Sequence, residues 1–216
     1  MEWVSMLAVL TTVTSVLCQL VGVEICFRIV RQRSTGDVSA VPFIAFFVSA
    51  VVWVKYGLMT DNKNVILTSG QATILQFLYI CIYYAYTSQK RFLTGMILIG
   101  LIGLVVPFVY VTYFENEADI AVRNLGLYCC FLSVIVYASP LATLTEVVKE
   151  RSTHSISLPL CFFNFLCAVE WTLYGLAISD QMLTIPNALG VVLGLVQFFL
   201  FCFYGCQHKS SKPILG

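Results

Sequence analysis

Seven long runs of apolar residues constrain this chain more than any other feature. A helix needs roughly 20 mostly apolar residues to cross about 30 Å of hydrocarbon, and each run has about that length. The runs cover residues 3–29, 40–59, 65–87, 93–114, 122–147, 156–178 and 182–206. Because 59% of the residues are apolar and only 11% are charged, the chain has too little polar surface to cover such runs in water. The sequence therefore predicts an all-α membrane protein of seven transmembrane helices.

Basic residues are distributed unevenly between the two sides of the predicted bundle. Nine lysines and arginines fall on one side, whereas only Lys55, Lys63 and Arg123 fall on the other. Cytosolic connections carry an excess of these residues. We therefore expect an exoplasmic N-terminus and a cytosolic C-terminal tail. No targeting signal selects a membrane; the plasma membrane is the expected location, with the Golgi or another endomembrane as the alternative.

Charge, cysteine and histidine usage exclude several classes of protein. The net charge is only +1, without a run of basic residues, which argues against a nucleic-acid partner. The nine cysteines lie in or beside the apolar runs and form no C-x-x-C pair, so we predict no disulfides. His154 and His208 are the only histidines, and no catalytic or metal-binding constellation can be assembled. We expect no enzymatic activity, no cofactor and no metal.

The two ends of the sequence repeat each other. A shift of 118 residues places Trp53 on Trp171 without a gap. The same shift superimposes two longer segments, Tyr56-Gly57-Leu58 on Tyr174-Gly175-Leu176 and Arg33-Ser34-Thr35 on Arg151-Ser152-Thr153. Chance rarely produces so many matches in one register, so we interpret the chain as a tandem duplication.

The duplication predicts the domain organisation. Residues 1–89 form a first three-helix repeat, 90–119 a linker helix, 120–207 a second three-helix repeat and 208–216 a cytosolic tail. A single linker helix makes the two repeats run in the same direction. Parallel repeats of this kind form transporters whose substrate site lies near the bilayer midplane, between the halves. We therefore expect a site lined by matching residues of both repeats.

The repeated motifs resemble those of a known family. R-S-T followed by a serine and a proline, and then W-x-x-Y-G, occur in both repeats. The second repeat adds Tyr137-Ala138-Ser139-Pro140-Leu141 and Ile185-Pro186-Asn187. Over nearly its whole length the chain is similar to the SWEET (saliva-type) sugar transporters. The resemblance implies uniport of a small sugar such as glucose by alternating access, without a coupling ion, and homo-oligomers are common in the family.

The resemblance also implies roles for individual residues. Four residues near the centre would bind the sugar: Trp53, Ser69, Trp171 and Asn187. A second group would form the cytosolic gate and its hinges: Gly22, Pro42, Pro140, Pro159 and Gln197. A third would form the exoplasmic gate: Tyr56, Tyr174 and Asp180. The chain departs from the family at two positions, where Gly22 replaces a proline and Ser69 replaces an asparagine.

The proposed site suits the chemistry of a sugar, although simpler interpretations of its residues exist. Aromatic rings can stack on the C–H faces of a sugar while amides and hydroxyls bind its rim. A tryptophan in a membrane helix is also a common interface anchor. Asn187 could instead join helices. Three prolines are interpreted as helix bends, but Pro107 in the fourth span has no such interpretation.

A buried carboxyl keeps a second function open. Glu170 lies within the sixth span, where an ionisable residue is a functional candidate. Its repeat mate is Val52, so the two-fold site does not explain it, and it could pair with Lys55, be protonated or couple protons. The alternative function is therefore a proton-coupled exporter of amino acids, or a seven-helix cargo receptor, of the related PQ-loop type. Against it, neither Gln76 nor Gln197 follows a proline.

Overall fold

The computed structural model of the protein describes residues 2–151, 153 and 158–204, with the backbone alone at 138–140, 142 and 143. Within these residues all regular secondary structure is helical, in nine α-helices and one π-helical turn. They are α1 Glu2–Gln19, α2 Val21–Gln32, α3 Val41–Met59, α4 Lys63–Tyr86, α5 Lys90–Val109, the π-helical turn Tyr110–Phe114, α6 Ala118–Val136, α7 Ala138–Glu150, α8 Leu158–Ala177 and α9 Gln181–Tyr204.

The seven predicted spans are present. Seven helical stretches of the described chain are long and apolar enough to cross a membrane, and the first of them joins α1 and α2. Large apolar side chains cover the outside of the bundle; Ile99 is 72% and Phe199 is 67% exposed. Exposed apolar surface on this scale requires lipid around it. The eight described cysteines are free.

The four helices α1 to α4 and the four helices α6 to α9 form the two repeats, and α5 links them. Each repeat is held together mainly by its last two helices, α3 with α4 and α8 with α9, and the repeats meet where α1 packs on α8 and α3 on α6. The backbone repeats in detail. Arg33 and Arg151 follow the last residues of α2 and α7 with positive φ values of 51° and 49°. Asp61 and Ser179, in the turns after α3 and α8, also have positive φ values, 49° and 58°.

The first and fifth spans are broken, which corrects the prediction of continuous helices over 3–29 and 122–147. The first breaks at Leu20 and the fifth at Tyr137, positions that differ by one residue in the repeat. At the first break the hydroxyl of Tyr79 donates to the carbonyl of Gln19 at 3.1 Å. A Cβ on Gly22 would collide with the Tyr79 ring. Glycine at position 22 therefore leaves space for the Tyr79 ring, whose hydroxyl satisfies the backbone carbonyl at the break.

Side chains of neighbouring helices satisfy the carbonyls that prolines expose. Pro107 cannot donate to the carbonyl of Gly103, four residues earlier, and the hydroxyl of Tyr128 on α6 donates to it at 2.8 Å. Pro186 likewise cannot donate to the carbonyl of Met182, and the thiol of Cys130 on α6 lies 3.4 Å from that carbonyl oxygen. Both contacts bind a proline-containing helix to α6. Pro107 thus has a structural role in attaching the linker helix, which the sequence left unassigned.

Candidate functional site

The two repeats meet in a small apolar cluster, called here the axial cluster. Val65 on α4, Tyr174 on α8 and Leu183 on α9 form its buried centre, and Trp53 and Trp171 pack against it. Val65 and Leu183 are repeat mates, as are the two tryptophans. The cluster therefore combines equivalent positions of the two repeats.

Each tryptophan is held against the tyrosine that follows it on the same helix. The rings of Trp53 and Tyr56 lie 5.4 Å apart at an interplanar angle of 83°. Those of Trp171 and Tyr174 lie 5.7 Å apart at 89°. Residues three apart on a helix share a face, and edge-to-face packing is a favoured aromatic geometry. The W-x-x-Y spacing thus orients both indoles in the same way.

Two hydrogen bonds cross between the repeats beside the axial cluster. The hydroxyl of Tyr56 donates to Asp180, with both carboxylate oxygens at 3.0 Å. The hydroxyl of Tyr174 donates to the side-chain oxygen of Asn62 at 3.1 Å. Asp180 and Asn62 are repeat mates, so the two bonds are symmetric copies. We call this end of the bundle the tyrosine end, and the opposite end, with Arg33 and Arg151, the arginine end.

The acceptors of these bonds also begin helices. The side chain of Asn62 accepts from the backbone N–H of Val65 at 3.2 Å. Asp180 accepts from the N–H groups of Met182 at 2.9 Å and Leu183 at 3.2 Å. Each side chain therefore caps a helix and holds a tyrosine of the other repeat. Sequence reasoning selected Asp180 and missed Asn62, although the 118-residue shift pairs them.

The polar residues of the predicted site lie one helical turn from the axial cluster, towards the arginine end. Ser69 follows Val65 by four residues on α4, and Asn187 follows Leu183 by four on α9. Both side chains are half-buried. Asn187 donates one amide hydrogen to the carbonyl of Leu183 at 2.7 Å. The other polar atoms of the two side chains make no hydrogen bond with the described residues.

The two-fold symmetry of the site is not complete. The indole N–H of Trp171 donates to the hydroxyl of Ser15 on α1 at 2.9 Å. The mate of Ser15 is Ser133, whose hydroxyl donates instead to the carbonyl of Cys129 on its own helix, at 3.0 Å. Trp171 is therefore tied to α1, while Trp53 has no such bond to the described part of α6. The two tryptophans of the candidate site therefore differ in their hydrogen bonding.

The predicted hinge residues differ in their surroundings. Gly22 lies at the break of the first span, as described above, and Pro140 lies in the first turn of α7, where only the backbone is described. Pro42 and Pro159 are the second residues of α3 and α8. For Pro42 the structure shows a helix start, where a proline loses no hydrogen bond, instead of the predicted bend. The residues before α8 lie outside the described part of the chain, so the bend predicted at Pro159 stays a prediction. Gln197 lies within the continuous helix α9.

Glu170 directly precedes Trp171 on α8 and is buried. It is 8% exposed, and its Oε2 has no hydrogen-bond partner among the described residues. Within the described chain Glu170 and Lys55 form no ion pair, so the pairing considered from the sequence is absent.

Comparison with known proteins identifies the family. A family model described as "Sugar efflux transporter for intercellular exchange" matches the chain twice, over residues 3–91 and 123–209. The two matches coincide with the two repeats and leave the linker helix between them. The duplication inferred from the sequence is therefore a duplication of the family's own unit.

Relatives cover nearly the whole chain. "Sugar transporter SWEET1" of Drosophila pseudoobscura pseudoobscura is 37% identical over 212 residues, which are 98% of this chain and 92% of the relative. "Bidirectional sugar transporter SWEET16" of Arabidopsis thaliana is 30% identical over 212 residues, 96% of this chain and 90% of the relative.

A solved structure has the same fold. "The 3.7 A resolution structure of a eukaryotic SWEET transporter" superimposes with a TM-score of 0.86 over 93% of this chain and 96% of that one, at 22% identity. The duplicated family match, the relatives and the shared architecture confirm the expected family, and they confirm a membrane transporter rather than an enzyme. The chain is a multi-pass membrane protein that belongs to the SWEET family of sugar transporters.

Proposed function

We propose that this protein carries a small sugar such as glucose down its gradient, by alternating access and without a coupling ion. The observation that carries the proposal is the layer beneath the axial cluster. There the two indoles pack against the axial cluster, and Ser69 and Asn187 lie one turn further along α4 and α9, at equivalent positions of the two repeats. The names of the relatives, which describe sugar transporters, support the same function.

The chemistry of this layer suits a neutral, hydroxyl-rich substrate. Trp53 and Trp171 offer apolar ring faces, and Ser69 and Asn187 offer a hydroxyl, an amide hydrogen and a carbonyl oxygen. A hydrogen bond contributes about 0.5–1.5 kcal/mol net, and a millimolar dissociation constant corresponds to about 4 kcal/mol. A few such bonds with stacking therefore suffice for weak binding, which allows release on either side.

The contacts at the tyrosine end act as one gate in this proposal. Tyr56 bonded to Asp180, Tyr174 bonded to Asn62 and the axial cluster together close the path at that end. At the arginine end, α2 packs on α4 and α7 on α9, each within its own repeat. The form described here is then the one closed at the tyrosine end. Release there requires both cross-repeat bonds to break as the halves move apart.

The orientation of the carrier, its membrane and its oligomeric state are proposed from the sequence and the family resemblance. The excess of lysine and arginine at the arginine end favours a cytosolic location for that end. The tyrosine end is then exoplasmic, and the N-terminus with it. We propose the plasma membrane as the site of action, with the Golgi or another endomembrane as the alternative, and a homo-oligomer in which each protomer has its own path.

Uptake into proteoliposomes tests the site. Purified protein is reconstituted without ion or pH gradients, and the initial rate of labelled glucose uptake is measured for Trp171→Ala and Asn187→Ala. The matched controls are Trp3→Ala, at an exposed position on the lipid side of α1, and Asn116→Ala, in the connection before α6. The proposal expects at least a tenfold loss for the site variants and little change for the controls. Equal rates in all four variants would contradict it.

Glu170 is the observation that favours a second function, proton-coupled transport. A carboxyl buried in a membrane span without an ion-pair partner in the described chain is a candidate for proton coupling. Uptake measured with and without an imposed pH gradient distinguishes the two functions. A passive carrier equilibrates glucose in both conditions, whereas a coupled carrier accumulates it only with the gradient and loses the accumulation in Glu170→Gln.

A further inference from the structure

The α1 helix is hydrogen-bonded to α4 on both sides of Ser15, the residue that accepts from the indole of Trp171. On one side, Asn64 of α4 contacts two threonines of α1. Its amide nitrogen donates to the hydroxyl of Thr11 at 3.0 Å, and the hydroxyl of Thr12 donates to its side-chain oxygen at 2.8 Å. These contacts, called here the first rung, join the two helices about one turn before Ser15.

A second rung joins α1 and α4 about one turn after Ser15. The amide nitrogen of Gln76 donates to the side-chain oxygen of Gln19 at 2.7 Å. The hydroxyl of Tyr79 donates to the backbone carbonyl of the same Gln19 at 3.1 Å. Because the two rungs lie on opposite sides of Ser15, α1 cannot slide along α4 without breaking hydrogen bonds in both.

The two rungs also enclose the proposed sugar site on α4, since Asn64 precedes Ser69 by five residues and Gln76 follows it by seven. We propose that Asn64 and Gln76 are positioning residues for this site. By holding α1 against α4, they fix Ser15, which in turn fixes the indole of Trp171 relative to Ser69. The inference rests on the proposed carrier function, and it makes the affinity for the sugar depend on two residues that do not contact it.

The second repeat lacks the corresponding side chains. The mates of Asn64 and Gln76 are Met182 and Gly194, and neither side chain can donate a hydrogen bond. The mate of the indole-binding serine is Ser133, which bonds to its own helix as described above. The two rungs are therefore a property of the first repeat, and they act on one of the two tryptophans.

Both positions can be changed without leaving a new buried polar group alone. Gln76 is 6% exposed, and its Oε1 has no hydrogen-bond partner in the described part of the chain. A buried oxygen without a partner destabilises a fold, so Gln76→Leu removes this cost together with the bond between the glutamines. In Asn64→Leu, the hydroxyls of Thr11 and Thr12 keep an acceptor, because each also donates to the carbonyl of Ala8 at 2.9 Å. We expect both variants to fold.

The fluorescence of Trp171 tests the positioning independently of transport. Trp3→Phe and Trp53→Phe together leave Trp171 as the single tryptophan. Time-resolved anisotropy in detergent then reports the local motion of its ring on the nanosecond timescale. We expect the amplitude of this motion to rise about twofold or more in the variants that remove one link between α4 and the indole: Asn64→Leu, Gln76→Leu and Ser15→Ala. Ser133→Ala is the matched control and should leave the amplitude unchanged.

Glucose uptake into proteoliposomes then distinguishes positioning from a general structural role. With all three tryptophans present, Gln76→Leu is expected to raise the KM about threefold or more and to change kcat less. In a Ser15→Ala background the same substitution should leave the KM unchanged, because the link to the indole is already absent. A purely structural effect would be the same in both backgrounds. The melting temperature of each variant is measured beside its KM.

The outcomes that contradict the proposal differ from those that contradict the carrier function. Unchanged ring motion in both Asn64→Leu and Gln76→Leu would overturn the positioning role. An equal rise in KM with and without Ser15→Ala would overturn it too, since Gln76 would then act by another route. A wild type without any glucose uptake would refute the carrier function, and the anisotropy would still decide whether the two rungs hold the indole.

Discussion

The hydroxyl of Tyr56 lies 3.0 Å from both carboxylate oxygens of Asp180, 124 positions further along the chain. The symmetric copy of this bond, from Tyr174, ends on the neutral amide of Asn62 at 3.1 Å. The duplicated hydrogen bond thus ends on a carboxylate in one copy and on a neutral amide in the other. Hydrogen bonds to charged groups contribute about 1.5–3 kcal/mol, against about 0.5–1.5 kcal/mol for neutral ones. The two bonds should therefore contribute unequally to closing the tyrosine end.

Removal of the two hydroxyls measures that inequality. Tyr56→Phe is expected to shift the conformational equilibrium towards opening at the tyrosine end about tenfold or more, because about 1.4 kcal/mol corresponds to a factor of ten. Tyr174→Phe should shift it less. The measurement is the labelling rate, from the tyrosine end, of a cysteine introduced by Ser69→Cys, with a membrane-impermeant thiol reagent. Equal rates in the two phenylalanine variants would contradict the assigned difference.

Asp180 also caps α9, and the two roles can be separated. Asparagine is as good an N-cap as aspartate, so Asp180→Asn should keep the melting temperature while it weakens the gate. Asp180→Ala removes the acceptor for Met182 and Leu183 and is expected to cost about 0.5–2 kcal/mol of stability. Thermal unfolding of both variants in detergent checks this. A melting temperature for Asp180→Asn as low as that of the alanine variant would show that the cap requires the charge.

The break in the first span depends on the space that Gly22 leaves for Tyr79. Gly22→Ala places a methyl group against the ring, and overpacking of this kind costs about 1–3 kcal/mol. Gly70→Ala is the control, because a Cβ there meets nothing within 4 Å. In a helix that change should be neutral or stabilising by about 0.5–1 kcal/mol. The melting temperatures of the two variants should therefore move apart.

A second variant protects this prediction against a general loss of folding. Tyr79→Leu removes the ring that Gly22→Ala would strike, so the double variant should lose less stability than the sum of the two single changes. Strict additivity would show that the two residues are not coupled.

The family resemblance implies an asparagine at the position of Ser69, and this residue can be introduced. Ser69→Asn adds an amide at the repeat mate of Asn187 and is expected to lower the KM for glucose by about twofold to tenfold, the equivalent of one added hydrogen bond. The checking measurement is the concentration dependence of uptake into proteoliposomes. A KM that stays unchanged in both Ser69→Asn and Ser69→Ala would place this side chain outside the sugar path.

The sequence predicts the spans and the repeat well, because the spans appear as runs of apolar residues and the repeat as identical residues at a fixed shift. It predicts the breaks in the helices poorly. The break at Leu20 depends on a hydrogen bond from Tyr79, which is distant in sequence, and no local pattern shows it. Pro107 is visible in the sequence, but its structural role is not. The carbonyl of Gly103, which loses its backbone donor at Pro107, accepts instead from Tyr128 on another helix.

The candidate site likewise has residues that the sequence could predict and one contact that it could not. The tyrosine-end residues Tyr56 and Asp180 could be named from the family resemblance, and the structure brings them together. Their symmetric partner Asn62 could have been found by applying the repeat shift to Asp180. The bond between Trp171 and Ser15 could not, because the mate of Ser15 bonds to its own helix. Asymmetry between two copies of a duplicated unit is a tertiary property.

Counterflow tests the central claim, a passive carrier with one alternating site, most directly. Proteoliposomes loaded with unlabelled glucose are diluted into a trace of labelled glucose, with ionophores present to collapse ion and proton gradients, and internal label is followed over time. A passive alternating carrier is expected to give a transient accumulation of label above the external concentration, absent in Trp171→Ala and retained in Trp3→Ala. A monotonic approach to equilibrium in the wild type would contradict alternating access. Accumulation that disappears with the ionophores would contradict uncoupled transport.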